Sequence, residues 1–493
     1  MADAAATLME ERRSYVAGKW VDGDGELAVE NPADEQVFAA VSTTPLSEVE
    51  RSILEAKRSF DDGVWADTPP LERARVVNAM LDYISSQRSQ LAATIVAEAG
   101  QPRGFAEFGQ VVGGVAQARD YIKLYLSLPE EEPNPVPLDE LVNGRVALSF
   151  RHYEPIGVVT AITPFNATML MGFQKIVPAL MAGNSVILRP SPLTPISSLI
   201  FASAAEAAGL PAGVFSVIVE EGAAGAELLT SHPAIDMISF TGSTTVAKAI
   251  LVQAAATIKR VALELGGKSA QIYLPDALDR AAAGAAGAIG AMAGQACVAA
   301  TRMLVPIESK DQVIDAATKA LANFNVGDPN DPKTTMGPVI SAAQRARCEK
   351  YVSLAQEHGG KVAIGGGRTS TMGSGYYFDP TVLDLPDNSN PAAQDEIFGP
   401  VVSVLGYRDL DDAVRIANDS VYGLSGQVYG HDVKTATNLA RRLRTGAVNV
   451  NTGVFSAYAS SGGYKQSGLG RERGPEGIRA FQQMKHLAIG ELK

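Results

Sequence analysis

Four short apolar runs between residues 157 and 240 constrain this chain more than any other feature. Gly157-Val158-Val159-Thr160-Ala161-Ile162, Ser185-Val186-Ile187-Leu188, residues 214–219 and residues 235–240 carry Val and Ile without alternation. A strand of that composition is buried on both faces. Helical stretches over 169–181, 196–208 and 223–229 separate the runs, the first closed by Gly183. Strands joined by helices imply a parallel sheet covered on both sides, the doubly wound arrangement that binds nucleotides. The rhythm restarts beyond Glu264, with a helix over 281–293, a strand over 303–305 and alternation through Ala447-Val448-Asn449-Val450. This reads as a second α/β domain, with a site in the crevice between the two.

The flanks are different. Residues 47–125 are largely helical, with 71–99 reading as one long amphipathic helix. Pro129-Glu130-Glu131-Glu132-Pro133-Asn134-Pro135 is an exposed connection, and residues 145–153 alternate like a strand. A length of 493 residues corresponds to about three units at roughly 150 residues each. The net charge of −12 argues against a nucleic-acid partner, which needs a basic face. Two cysteines give at most one bridge, so the chain fits a reducing cytoplasm. Cys348 lies in a charged helical stretch and reads as structural. Asp3, Glu10 and Glu11 occupy the N-terminal region, where an export signal would need an apolar core. Residues 281–301 carry no formal charge, yet they are mostly Ala and Gly and include Gln295. That composition suits a closely packed buried helix and not a membrane span.

Two segments carry the chemistry, Glu264-Leu265-Gly266-Gly267-Lys268 and Gly294-Gln295-Ala296-Cys297. Glu264 ends the apolar run Val261-Ala262-Leu263, where burial raises its proton affinity. A thiol open among small residues, with such a carboxylate near it, suits covalent attack followed by hydrolysis. On these segments alone, a packed cysteine and a salt-bridged glutamate read equally well. The turn Phe240-Thr241-Gly242-Ser243-Thr244 joins a strand to a helix beginning near Val246, a place where backbone N–H groups attract phosphate. Thr163-Pro164-Phe165-Asn166 follows a strand at the carboxyl edge of the sheet. By itself that segment reads best as helix capping by Asn166.

In order and spacing these segments resemble the aldehyde dehydrogenase superfamily, from about Tyr15 to the C-terminus. The resemblance also rests on Gly183-Asn184-Ser185-Val186-Ile187-Leu188-Arg189-Pro190, on Glu396-Ile397-Phe398-Gly399-Pro400 and on Gly462-Gly463-Tyr464-Lys465-Gln466-Ser467-Gly468. It implies an aldehyde dehydrogenase-like α/β fold. A Rossmann-type cofactor domain would span 1–125 and 154–262, and a catalytic α/β domain 263–469. A small β oligomerisation element would be formed by 126–153 and 470–493. It implies Cys297 as the nucleophile, forming a thiohemiacetal and then a thioester. Asn166 and the Cys297 N–H would hold the oxyanion, Glu264 would activate water, and Lys175 would lie near that carboxylate and the cofactor. NAD is the implied cofactor. Thr163, Pro164, Phe165, Arg189, Pro192, Thr241, Gly242, Ser243, Val246, Leu265, Gly266, Glu396 and Phe398 are its implied contacts. Ala167, Met171, Gln174, Val298 and Phe455 would line a substrate tunnel, and no metal is implied.

The chain departs from the family pattern at several places. Arg189 replaces a usual lysine, and Pro192 stands where NAD-preferring members carry a glutamate for the adenosine ribose. Losing that carboxylate removes a repulsion against a 2′-phosphate, so NADP is also admitted. Ala459-Ser460-Ser461 replaces a common Pro-Phe, and Ala247 a common glycine. No arginine falls among the tunnel positions, which favours a neutral aldehyde over a carboxylate-bearing one. The competing readings are a CoA-acylating dehydrogenase, against which Glu264 argues, and an inactive binding or structural protein on the same fold. The resemblance implies a small-molecule aldehyde as substrate and a homodimer or homotetramer, with no membrane or nucleic-acid partner.

Overall fold

In the computed structural model, which describes residues 8–134, 147–290, 292–453 and 456–490, the four apolar runs join one eight-stranded sheet. Its order is Gly468–Leu469, Arg260–Glu264, Met237–Thr241, Val158–Ile162, Ser185–Arg189, Phe215–Val217, Ser14–Val16 and Lys19–Val21. The five central strands are parallel and the outer ones antiparallel. Val158–Ile162 and Met237–Thr241 are buried along their whole length, which is why their sequences do not alternate. From Val158–Ile162 the chain builds outward to Phe215–Val217, then returns to add Met237–Thr241 on the other side. This reversal opens a crevice at the carboxyl ends of those two strands, beside Thr163 and Gly242.

A second sheet of seven strands runs Lys361–Ile364, Thr381–Asp384, Val401–Tyr407, Arg302–Pro306, Ala270–Tyr273, Gly426–Tyr429 and Asn449–Val450. All its pairings are parallel except the first. A third, antiparallel sheet pairs Gln482–Gly490 with Ala147–Pro155, and the latter with Glu131–Pro133.

Several elements differ from the sequence expectation. Residues 71–99 form two helices, Pro70–Ser86 and Arg88–Ala99, broken at Gln87 with φ −94° and ψ 12°. The Gln87 N–H is shared between the Tyr83 and Ile84 carbonyls, so the ladder closes there without a glycine or proline to announce it. Residues 196–208 likewise divide into Pro195–Ser198 and Ile200–Ala207. The helix expected over 281–293 stops at Ile289, because Gly290 takes φ +44° and turns the chain toward Cys297. Among the described residues no helix is long and apolar enough to cross a membrane. Cys348 is fully buried in the helix Ala342–Glu357.

Candidate active site

The two large sheets are joined by the turn Gly266-Gly267, and both glycines are dictated by what presses on them. A Cβ on Gly266 would lie 2.1 Å from Glu396 Oε2, and one on Gly267 would lie 2.6 Å from the Cys297 carbonyl oxygen. The Gly267 N–H donates to Glu396 Oε1 at 3.0 Å. Ser467 secures the turn from behind, its hydroxyl donating to the Gly266 carbonyl at 2.7 Å and its carbonyl accepting from the Leu265 N–H. The segment before Cys297 sits just as tightly, since a Cβ on Gly294 would meet the Gly399 carbonyl at 2.0 Å. Glu264, Glu396 and Cys297, distant in sequence, thus gather around one two-residue turn.

Cys297 is half-buried, as are its neighbours Ala296 and Val298. Burial, then the carboxyls of Glu396 and Glu264, push its thiol up to about 12, while Arg473 and the Val298 N–H pull it down. Burial pushes Cys348 up to about 12 as well. Access, and not proton affinity, therefore separates the two thiols: Cys348 is 0% exposed.

Glu264 ends its strand paired with Thr241. Its Oε1 is buried and has no hydrogen-bond partner among the described residues. Burial and, next, the charge of Glu472 hold its pKa well above the ordinary carboxylate range, against Lys175, Arg471 and Arg473. Of those charges Lys175 and Glu472 are buried, and Arg471 and Arg473 are half-buried. Lys175 Nζ lies 2.6 Å from Glu472 Oε1 and 3.1 Å from Ser239 Oγ, and Gln174 donates to the other Glu472 oxygen. Sequence reasoning missed Glu472 and Arg473, because Arg471-Glu472-Arg473 reads as a solvated charged turn. Their partners on the helix Thr168–Met181 lie almost three hundred residues earlier.

Asn166 is buried, and its Nδ2 donates to the Gln295 carbonyl at 2.7 Å, tying the end of Val158–Ile162 to the cysteine segment. One Nδ2 hydrogen remains. The capping reading fails here: Ala167 is the N-cap of Thr168–Met181, and no side chain caps it. Ala167 is buried and Met171 half-buried on the same helix. Gln174 departs from the expected tunnel lining, for it is 4% exposed and its amide is spent on Glu472 and Arg473. It backs the wall. Phe455 lies outside the described residues.

The crevice fits a dinucleotide. Thr163 Oγ1 and Thr241 Oγ1 are buried at strand ends with no partner among the described residues, and Gly242 has room for no side chain because Phe240 packs 2.4 Å from where its Cβ would stand. Ser243 caps the helix Thr244–Ala255 by accepting from the Val246 N–H, which leaves its own hydrogen to donate. Phe165, beside half-buried Pro164, meets Phe398 edge-on at 5.8 Å, with Phe398 at φ +60°. Burial raises Glu396 to about 7, opposed by the Gly267 N–H, Lys268 and Arg347. Ala247 is buried in the core behind the turn. Pro192 is half-buried beyond Ser185–Arg189. Arg189 brings a correction to the idea of a guanidinium waiting for phosphate: its Nε pairs with Glu220 Oε1 at 3.0 Å and its Nη2 with the Gly222 carbonyl. Glu220, also missed from sequence, in turn accepts the Gly225 and Ala226 N–H groups.

Comparison with known proteins is consistent throughout. The model of the aldehyde dehydrogenase family matches residues 20–487. The geranial dehydrogenase of Castellaniella defragrans is 36% identical over 98% of this chain and 99% of its own length. A mutant aldehyde dehydrogenase C from Pseudomonas syringae, solved with NAD+ and octanal, superposes with a TM-score of 0.91 at 34% identity, covering 98% of each chain. The betaine aldehyde dehydrogenase of Staphylococcus aureus, solved with NAD+, gives 0.91 at 33% identity, covering 97% and 94%.

Proposed function

The chain belongs to the aldehyde dehydrogenase family, and from that premise we propose how its own residues divide the work of an NAD-dependent oxidation of aldehyde to acid. Cys297 gives up its thiol proton to solvent and adds its sulfur to the aldehyde carbon, and the carbonyl oxygen takes up the displaced electron pair. The remaining Asn166 Nδ2 hydrogen and the Cys297 N–H hold that oxyanion, a donor of this kind being worth about 10²–10³ in rate. NAD, when bound, supplies the hydride acceptor. Thr163, Thr241, Ser243 and the start of Thr244–Ala255 hold its phosphates, and Glu396 holds a ribose beside the nicotinamide. Pro164, Phe165, Val246, Leu265, Gly266 and Phe398 form the walls. Glu264 then takes a proton from water, hydroxide adds to the thioester carbon, and Cys297 leaves as the acid forms. A general base contributes about 10²–10⁴. Lys175 acts as a positioning residue, through Glu472, on the proton affinity of Glu264.

The observation that carries this reading is the convergence of Glu264, Glu396 and Cys297 on the Gly266-Gly267 turn. The domain roles follow. The eight-stranded sheet serves the cofactor, the seven-stranded sheet supplies Cys297 and Glu396, and the three-stranded sheet joins copies in a cytoplasmic homo-oligomer. NAD is the working cofactor and NADP a poorer one, since Glu220 now occupies Arg189 and places a carboxylate near that end of the crevice. Ala167, Met171 and Val298 bound the tunnel. The test is nicotinamide reduction with an aldehyde panel and each cofactor, with and without CoA. NAD-dependent, CoA-independent acid formation is expected; strict CoA dependence would establish the acylating reaction instead.

A further inference from the structure

We propose that Gln101 and Gln110 are positioning residues for the oxyanion-binding amide of Asn166, an assignment that rests on the proposed function and deepens it. One Nδ2 hydrogen of Asn166 is spent on the Gln295 carbonyl. The other can serve an oxyanion only where the whole residue is held still, because a small misplacement of a catalytic group is costly. A neutral amide has no charge to fix it, so the restraint has to come from hydrogen bonds around it.

Two glutamines supply that restraint from the backbone side of the residue. Gln101 Nε2 donates to the Asn166 carbonyl at 2.6 Å, and Gln110 Nε2 reaches the same oxygen at 3.3 Å. Gln110 Nε2 also donates to Gln101 Oε1 at 2.6 Å, while Gln110 Oε1 accepts the Met169 N–H at 3.3 Å. Both side chains are buried. The backbone end of each chain of bonds fixes its direction: the Asn166 and Gln295 carbonyls only accept, and the Met169 N–H only donates. Turning any of the three amides over would set oxygen against oxygen in a buried site.

The backbones that carry them are constrained as well. Gln110 lies in Phe105–Val112, wound as a π-helix, and the Gly113 N–H at its end donates to the Phe108 carbonyl five residues back. Such winding is rare and recurs at functional sites. Gln101 follows Gly100, at φ +64°, where a Cβ would stand 2.7 Å from Pro338 Cγ. Two residues beyond Pro338, the Ile340 N–H donates to Gln295 Oε1 at 3.0 Å. These contacts close a ring, from Gln101 through Asn166 to Gln295 and back by Ile340, Pro338 and Gly100. Asn166 is thereby held at both its carbonyl and its amide.

A double-mutant cycle tests the assignment, read by single-turnover hydride transfer at saturating NAD with the aldehyde that the parent oxidises fastest. Gln101→Leu removes the shorter bond without burying a charge, and Gln110→Glu keeps the shape but removes the Nε2 donor. Each is expected to slow the step about 10- to 100-fold, the cost of a displaced amide, with the NAD dissociation constant unchanged. In the Asn166→Ala background no amide remains to be positioned, and either change should cost less than about threefold. The melting temperature should fall equally in both backgrounds, since the residue 166 carbonyl is present in each. Equal rate losses in both backgrounds, or loss of NAD binding in both glutamine variants, would assign the pair to general stability and overturn the proposal. Parent-rate transfer in both glutamine variants would overturn it too. Parent-rate transfer in Asn166→Ala alone would remove the oxyanion role itself and the proposal with it, a failure of the proposed function that the glutamine variants cannot produce.

Discussion

Two carboxyls of the site, Glu264 and Glu396, and the two thiols of the chain have raised proton affinities, and their surroundings decide what each can do. Cys297 and Cys348 both sit near about 12, yet only Cys297 is accessible. Iodoacetamide should therefore label Cys297 alone, at a rate that rises about tenfold per pH unit through neutrality, because the thiolate is the reactive form. Peptide mapping reads this directly, and labelling of Cys348 in the folded protein would contradict it. Cys297→Ser should lose turnover and keep its fold and NAD binding. Glu264 must be ionised to accept a proton, so hydrolysis should rise with pH through a midpoint above the ordinary carboxylate value of about 4. The Glu472 charge helps to hold that midpoint up. Glu472→Gln removes the charge and leaves Lys175 unmatched, and both changes favour the Glu264 anion. The pH–rate limb for acid release should move to lower pH, with a stability loss of about 3–5 kcal/mol for breaking a buried pair. A limb that stays in place would disconnect Glu472 from Glu264.

At the scale of elements, the tight turns carry the largest consequences. Gly266→Ala would drive a methyl into Glu396, and a displacement of this size should cost about 10² in kcat/KM with NAD. Steady-state kinetics checks this, and near-parent values would show that Glu396 is not held there. On the proposed reading the Arg189–Glu220 pair would set cofactor choice: Glu220→Gln removes a negative charge and releases the guanidinium, so the NADP to NAD ratio of kcat/KM should rise about tenfold or more. An unchanged ratio would place the pair away from the adenosine ribose. Much of this was legible in the sequence. Unalternating Val and Ile runs marked the parallel strands, and Gly266-Gly267 with Cys297 marked the chemistry. What was hidden had no local signature. Gln87 breaks a helix without glycine or proline, and helical periodicity runs across it. Glu220 and Arg473 look like ordinary surface charges until the fold pairs them with Arg189 and Gln174.

Across the whole molecule, Glu264 comes from the carboxyl end of a strand in one sheet and Cys297 from the chain entering the other, so the site exists only when both sheets are docked. The three-stranded sheet stands apart from that junction. Its strand Gln482–Gly490 presents Met484 and Ile489, each more than half exposed, on a long outer edge. An uncovered edge of this kind readily pairs with another chain, which is the basis for assigning it to assembly. The central claim is that a nucleophile and a base from two sheets act in sequence on one acyl group. Mass spectrometry of acid-quenched Glu264→Gln, mixed with aldehyde and NAD, tests it most directly. The account predicts an added acyl mass on the Cys297 peptide that requires NAD and persists while acid release stalls. Unmodified Cys297 with acid released at the parent rate would contradict it.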